Sequence, residues 1–340
     1  MSASVPYVVG QWVRGERFYG RRREIAGLLD SSRRCRWIAG LRRIGKTSLL
    51  RQLDLWTGHG GSRHLPLFWD LQGVDGGDEM ARGFADALLD AEELLGRHGI
   101  ALSEVEDEDL FASLDRLTAA LRRRGSELLL LCDEVDGLIR LARTRPELVC
   151  ELWRAVLGAG GGQVVLASTV RLCDLAAGGD GAAALVEGFG APLYLGAMPD
   201  AEARSLVAQS QLPAGSRPAF AAATVEAIRE SCGNHPMLLQ LLAKRCLELG
   251  CLEEALRQVA ADRAVEHVFA VDFELLAPTE REVLRAAAAA DGHGGPAAVA
   301  VDEPAVRRLL QLGLLRNDGA LGLAIPNRFF AAWLRRAPAA

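Results

Sequence analysis

The stretch "AGLRRIGKTSLLRQLD", residues 39–54, follows the apolar run "RCRWIAG" at 34–40. Residues 40–47 satisfy the spacing G-x-x-x-x-G-K-[ST] in full. A strand ending at Ala39–Gly40 and a helix opening at Lys46 form the context in which this spacing has chemical meaning. Gly40 and Gly45 let the backbone wrap so that its N–H groups face an anion, and the helix that follows adds its positive end. Lys46 supplies a compact ammonium between β- and γ-phosphates, and the Thr47 hydroxyl can bind Mg²⁺. An arginine fork would not occupy the same small space. Lysine occurs only at positions 46 and 244, arginine being the default cation elsewhere, which makes Lys46 informative. A glycine-rich turn before a helix is the plain alternative, and the strand–loop–helix context weighs against it. The residues expected at the phosphates are Gly40, Arg43, Ile44, Gly45, Lys46, Thr47 and Ser48.

Outward from this turn, four more β-rich runs follow: "HLPLFWDL" (64–71), "ELLLLCDEVD" (127–136), "GQVVLASTV" (162–170) and "APLYLG" (191–196). They are continuously apolar instead of alternating, as parallel strands covered on both faces are. Helical patterns separate them, such as "LFASLDRLTAALRRRG" with Gly125 placed to stop a helix. This alternation predicts an α/β domain with a parallel sheet over residues 1–198. After Pro199 the patterns "PDAEARSLVAQSQ", "AFAAATVEAIRESCG", "HPMLLQLLAKRCLELG" and "LEEALRQVAADRAVEHVF" predict a helical domain over 199–270. The remainder, 271–340, reads as helix, Gly-rich loop "DGHGG", second helix and a hairpin turning at "NDG", the order of a winged helix.

The chain has 340 residues, half of them apolar, and a formal net charge of −5, which argues against a protein wrapped in nucleic acid. Seven cysteines form no C-x-x-C pair and lie mostly in apolar runs, as buried thiols do in a reducing compartment. Neither a signal peptide at "MSASVPYVVGQW" nor an apolar run of membrane-spanning length is apparent, so a cytoplasmic protein is expected.

Two further strand ends carry polar groups. "ELLLLCDEVDGL" delivers Asp133 and Glu134 to the edge where open α/β sheets bind ligands. Asp133 is placed to hold magnesium, and Glu134 to polarise an attacking water. Asp136 reads as surface or helix-cap material. "VVLASTVRLCD" brings Ser168, Thr169 and Arg171 to the end of another strand. Ser168 or Thr169 could bond the hydrolytic water and Arg171 reach the γ-phosphate; alternatively the hydroxyls cap the strand and Arg171 faces solvent. The arginine-rich start (Arg14, Arg17, Arg21, Arg22, Arg23, Arg33, Arg34, Arg36, Arg42, Arg43, Arg51) reads either as a basic binding surface or as a solvated face.

Together "RFYGRRREIAGL" (17–28), the glycine turn, the acidic strand, "ASTVR" (167–171) and "GNHPMLLQLL" (233–242) resemble the STAND class and its archaeal-ATPase relatives. These are AAA+-like (ASCE-type) P-loop NTPases with a helical lid and a winged helix. The resemblance implies binding of ATP and ADP with Mg²⁺. It puts Phe18, Gly20 and Arg21 beside adenine and ribose, and Gly233 and Pro236 over the same base. Without it, Phe18 is an apolar residue before a helix and "GNHP" a helix break, with His235 a surface residue. The Met-His-Asp signature of some relatives is missing, so an ADP-locked state is not implied.

The leading expectation is a slow Mg²⁺-dependent ATPase acting as a molecular switch. Lys46, Glu134 and Arg171 would be its catalytic groups, Thr47 and Asp133 its metal-binding groups, and Thr169 a nucleotide contact. Arg143, Arg145 and Arg154 follow the acidic strand and could serve a neighbouring subunit. A protein partner or self-association on ATP binding is expected. A DNA-associated AAA+ ATPase is the alternative, weakened by a thin recognition helix. In "EPAVRRLLQLG", Val306, Leu309, Leu310 and Leu312 are expected to face the core, leaving Arg307 and Arg308 outward. A catalytically silent nucleotide-binding scaffold is a third reading, disfavoured by Glu134.

Overall fold

The five apolar runs form strands: β1 Cys35–Ala39, β2 His64–Asp70, β3 Glu127–Asp133, β4 Gln163–Ser168 and β5 Leu193–Tyr194. They line up in the order β2-β3-β4-β1-β5. The neighbours β2/β3, β3/β4 and β1/β4 run parallel. Residues Leu128 to Cys132 are essentially inaccessible, the burial that a continuous leucine run provides when helices cover both faces of a sheet. Register places Asp133 opposite Asp70 and Ala39 opposite Ser168. The polar groups of several strands therefore share one edge. The computed structural model describes residues 5–29, 33–59, 62–158, 162–177, 183–290, 303–317 and 322–336.

The chain divides into two compact units. One comprises Arg22–Ala39 and Lys46–Leu193; the other comprises Met1–Arg21, Gly40–Gly45 and Tyr194–Ala340. In the first, the helix Lys46–Thr57 opens where the sequence predicts it, and the helix Leu110–Arg123 is capped by Asp109, whose carboxylate accepts the Ala112 N–H at 2.9 Å. Trp69 meets Phe84 edge-on at 5.4 Å between ring centres, filling the layer between sheet and helices.

The second unit is helical. Asp200–Val207, Ala222–Cys232, Pro236–Leu249, Leu252–Ala260 and Arg263–Glu274 follow one another. The pattern "LEEALRQVAADRAVEHVF" is thus two helices, because Asp262 stops the first and caps the second by accepting the Ala264 N–H at 2.8 Å. Two helices, Pro278–Ala290 and Glu303–Gln311, precede the antiparallel pair β6 Arg316–Asn317 and β7 Leu323–Ala324 and the helix Arg328–Arg336. The loop "DGHGG", the segment "PAAVAV" and the tip of the expected hairpin at 318–319 lie outside the described residues. Phe269, Phe273, Phe330 and Trp333 form an aromatic cluster in this unit, Phe330 stacking on Trp333 at 5.8 Å. Tyr7 and Val8 bind the same unit through the Val207 carbonyl and the Gln240 side chain.

Three expectations about side chains are corrected. Leu310 is exposed, on the outer face of its helix, whereas Val306, Leu309 and Leu312 are buried. Arg308 turns inward, 3.0 Å from the buried Glu280 carboxylate, which leaves Arg307 as the outward arginine of the pair. Of the cysteines, Cys132, Cys232 and Cys246 are buried, but Cys35, Cys150 and Cys173 are half-buried and Cys251 is exposed. Among the described residues no helix is long and apolar enough to cross a membrane.

Candidate functional site

Lys46 and Thr47 open the helix that follows the glycine turn, and Asp133 ends the buried leucine strand β3. The fold joins them: the Thr47 hydroxyl hydrogen-bonds the Asp133 carboxylate. Lys46 is only 8 % exposed and Asp133 only 3 %. Burial raises the Asp133 pKa above the usual carboxylate range, and Asp70 on the neighbouring strand adds to the rise. The Thr47 bond, the Glu134 N–H and the Lys46 charge oppose that rise without cancelling it. A carboxylate held this way gains from a nearby cation. Hard oxygen donors on Thr47 and Asp133 suit Mg²⁺, which keeps several waters and takes few protein ligands. Among the described residues no group of three or more His, Cys, Asp or Glu could hold a metal unaided. A cation here would therefore complete its shell with water and with oxygens of a bound phosphate.

Directly after Asp133 the chain turns. Glu134 adopts left-handed φ of 50°, its N–H bonded to Asp133 Oδ1 at 3.1 Å, and its side chain is exposed. That turn is why Asp133 and Glu134 point apart although adjacent. Asp136, expected at the surface, instead pins the end of β4: it accepts the Thr169 N–H at 2.6 Å and the Thr169 hydroxyl at 2.7 Å. Ser168 is fully buried, and its hydroxyl oxygen accepts the Trp37 indole N–H at 2.7 Å. Thr169 is also buried, and Arg171 is exposed at the start of the helix Arg171–Ala177.

The turn itself, Gly40–Gly45, belongs to the second unit. Gly45 has φ of 103°, a value that only glycine adopts readily, and a Cβ there would meet nothing within 4 Å. Ile44 is buried, while Arg42 and Arg43 are exposed. The Arg42 N–H donates to Asp272 Oδ1 at 3.0 Å, and the Arg43 guanidinium donates to the Gly10 carbonyl at 2.8 Å. Ser48, in the first turn of the following helix, is half-buried.

Residues expected beside the base also lie in the second unit. Phe18 is buried, and its carbonyl accepts from Gln211 at 3.0 Å. Gly20 has φ of 73°, and a Cβ added there would run into the Glu202 side chain. Arg21 is buried; its N–H binds Glu202 at 2.9 Å and its guanidinium the Gly196 carbonyl at 2.6 Å. The segment 196–202 also reaches the "GNHP" turn. Met198 N–H donates to the Asn234 carbonyl at 3.0 Å, and the Asn234 amide donates to Asp200 at 2.7 Å. Thus Gly20 and Arg21 share the strip 196–202 with Asn234 of the "GNHP" turn, far along the chain, whereas Phe18 is held by Gln211. His235 is not a surface residue: its Nδ1 is buried without a partner, and burial together with the Arg21 charge lowers its pKa to about 4. Pro236 occupies the first turn of its helix.

The arginine-rich start spends much of its charge internally. Arg21 serves Gly196, Arg34 donates to the Gly162 carbonyl at 3.0 Å, and Arg51 lies over the Phe68 ring at 3.4 Å. Asp136 and Asp272 are the site neighbours that sequence reasoning missed. Asp272 had one signal, an acid between Val271 and Phe273 in the largely apolar stretch "VFAVDFELL".

No protein-family model matches the chain, and no curated protein matches it at a significant level of sequence similarity. Solved structures do. The Walker-type ATPase paby2304 of Pyrococcus abyssi superposes with a TM-score of 0.66 at 15 % identity, covering 97 % of this chain and 99 % of that one. The Aeropyrum pernix ORC2 protein, in ADPNP-ADP complexes, gives 0.53 at 15 % identity, with 97 % and 95 % covered. At these identities the likeness concerns the fold alone: the chain shares with these two structures a five-stranded sheet with helices, followed by a helical C-terminal region.

Proposed function

We propose that the chain binds ATP with Mg²⁺ and hydrolyses it slowly, and that the nucleotide state switches its conformation. The observation that carries this is the hydrogen bond between the Thr47 hydroxyl and the Asp133 carboxylate, at the start of the helix led by Lys46. The turn amides and Lys46 bind the β- and γ-phosphates, and Thr47 and Asp133 hold the cation. Bound there, Mg²⁺ neutralises charge on the phosphate oxygens. Glu134, exposed and turned away from Asp133, orients and polarises the attacking water. Arg171 stabilises charge on the γ-phosphate. Thr169 keeps this edge in shape through Asp136. Phe18, Gly20, Arg21 and Pro236 border the base.

In this reading residues 1–198 are the ATPase domain, 199–270 the lid and 271–340 a winged helix, in a cytoplasmic protein whose ATP form binds a partner or itself. The STAND-class assignment rests on the sequence motifs alone. A DNA-associated ATPase is the second reading, supported by the architecture shared with an ORC protein. Against it stands the inward turn of Arg308. A duplex-DNA gel shift at low ionic strength separates the two, since phosphate contacts strengthen as salt falls.

The central test uses two variants. Lys46→Ala is expected to weaken ATP binding at least about a hundredfold by calorimetry, because the only compact cation at the phosphates is lost. Glu134→Gln should bind ATP normally and release phosphate about 10²–10⁴-fold more slowly. Unchanged affinity in Lys46→Ala would falsify the phosphate assignment.

A further inference from the structure

The turn Gly40–Gly45 is held in a shape its own sequence does not favour. Arg43 has φ of 59°, a left-handed value disfavoured for a side chain of its size. Such a conformation persists only when the surroundings over-determine it. Arg42 and Arg43 are exposed, so burial of their side chains supplies no hold. Besides the buried Leu41 and Ile44, the restraints on the turn include a bond from Arg43 to the Gly10 carbonyl at 2.8 Å and one from the Arg42 N–H to Asp272 Oδ1 at 3.0 Å. The second is a hydrogen bond from a backbone amide to a carboxyl oxygen. Asp272 is 6 % exposed and lies in the helix Arg263–Glu274 between Val271 and Phe273. A carboxyl group in such surroundings costs desolvation that an apolar residue would avoid.

We infer that Asp272 is a positioning residue for the polyphosphate of the proposed ATP site. By accepting the Arg42 N–H it holds the turn with Arg43 left-handed, so that a nucleoside di- or triphosphate meets a preformed cradle. The cost of ordering the turn is then met in folding and not in binding. The role rests on the ATP reading. It also connects the nucleotide to a helix more than two hundred residues further along the chain, which no local motif does.

Asp272→Leu fills the space without an acceptor, and Asp272→Asn keeps an accepting oxygen. Affinity for a fluorescent ADP is read by titration, and hydrogen exchange of the Arg42 amide in the nucleotide-free protein is read beside it. Asp272→Leu should bind ADP about tenfold more weakly and exchange Arg42 faster, whereas Asp272→Asn should stay within about threefold of wild type on both readouts. Equal losses in both variants, or wild-type or tighter ADP binding in Asp272→Leu, overturn the inference. Should Asp272→Leu fail to fold, the wild-type protein decides: an Arg42 amide that exchanges as fast as an unbonded loop amide also overturns it. If wild type binds neither ADP nor ATP, the ATP reading fails on its own, and Arg42 exchange still tests the hold of Asp272 on the turn.

Discussion

Asp133 and Asp272 are both nearly inaccessible carboxylates, 3 % and 6 % exposed, yet they come from opposite kinds of local sequence. Asp133 ends a run of four leucines, where a parallel strand must leave the sheet and polar groups can reach its edge. Its partner Thr47 sits in a motif whose spacing already predicts a ligand. Asp272 interrupts an apolar helix face formed with Val265, Phe269 and Phe273. Its partner is a backbone amide of the glycine turn, 230 positions earlier. The strand edge thus combines local motifs, whereas the turn and the "GNHP" region depend on contacts between segments distant in sequence. Mutations should separate the two.

The largest effect is expected at the strand edge. Asp133→Asn should weaken Mg²⁺-dependent nucleotide binding by about 10²-fold, because a hard anionic ligand is lost. The same change should stabilise the nucleotide-free protein near neutral pH. Burial raises the Asp133 pKa above its unfolded value, so the ionised form costs stability at high pH, and that cost fades as pH falls through the raised pKa. Melting curves across pH check this: the advantage of Asp133→Asn should shrink on acidification. A melting point below wild type at neutral pH would contradict the sign.

Next comes Asp136, which ties β4 to the turn after β3. Asp136→Ala leaves the buried Thr169 N–H and hydroxyl without their acceptor and should cost about 2–4 kcal/mol in denaturant unfolding. A loss under about 0.5 kcal/mol would mean that the strand edge is held by packing alone.

In the long-range region, Gly20→Ala should cost about 1–3 kcal/mol, since it combines a left-handed φ of 73° with a collision against Glu202. Its consequence should include weaker nucleotide binding if the strip 196–202 shapes the base site. Affinity that stays unchanged in a folded Gly20→Ala would separate this strip from the nucleotide.

The smallest effect is a pH dependence. The His235 pKa in the fold, about 4, lies below the ordinary 6.5, so the unfolded chain takes up the proton first. The associated stability is complete above about pH 6.5 and is lost as pH falls towards 4. His235→Asn should therefore lose less melting temperature between pH 8 and pH 5 than wild type does. Equal losses would show that the ring titrates as if in water.

Much of this molecule is legible without coordinates, for a physical reason. Continuous apolar runs suit strands of a parallel sheet covered by helices on both faces, so all five strands could be located from their apolar runs. The glycine turn, Lys46, Thr47 and Asp133 follow because backbone wrapping, charge size and strand ends obey local rules. The break at Asp262 was missed because a capping aspartate inside a helical period looks like a solvated face. Arg308 was placed outward because helical periodicity describes only one helix, while its direction is set by Glu280 on another.

Local sequence alone determined the strands, the glycine turn and the acidic edge, since each is a consequence of neighbours within about a dozen residues. Tertiary structure alone decided that Asp136 holds Thr169, that Ser168 is taken by Trp37, that Arg21 and the "GNHP" turn share the strip 196–202, and that Asp272 grips Arg42. These are hydrogen bonds between segments that meet only in the folded chain. A hydrogen bond depends on distance and direction in space, and neither is written in the spacing of residues along the sequence.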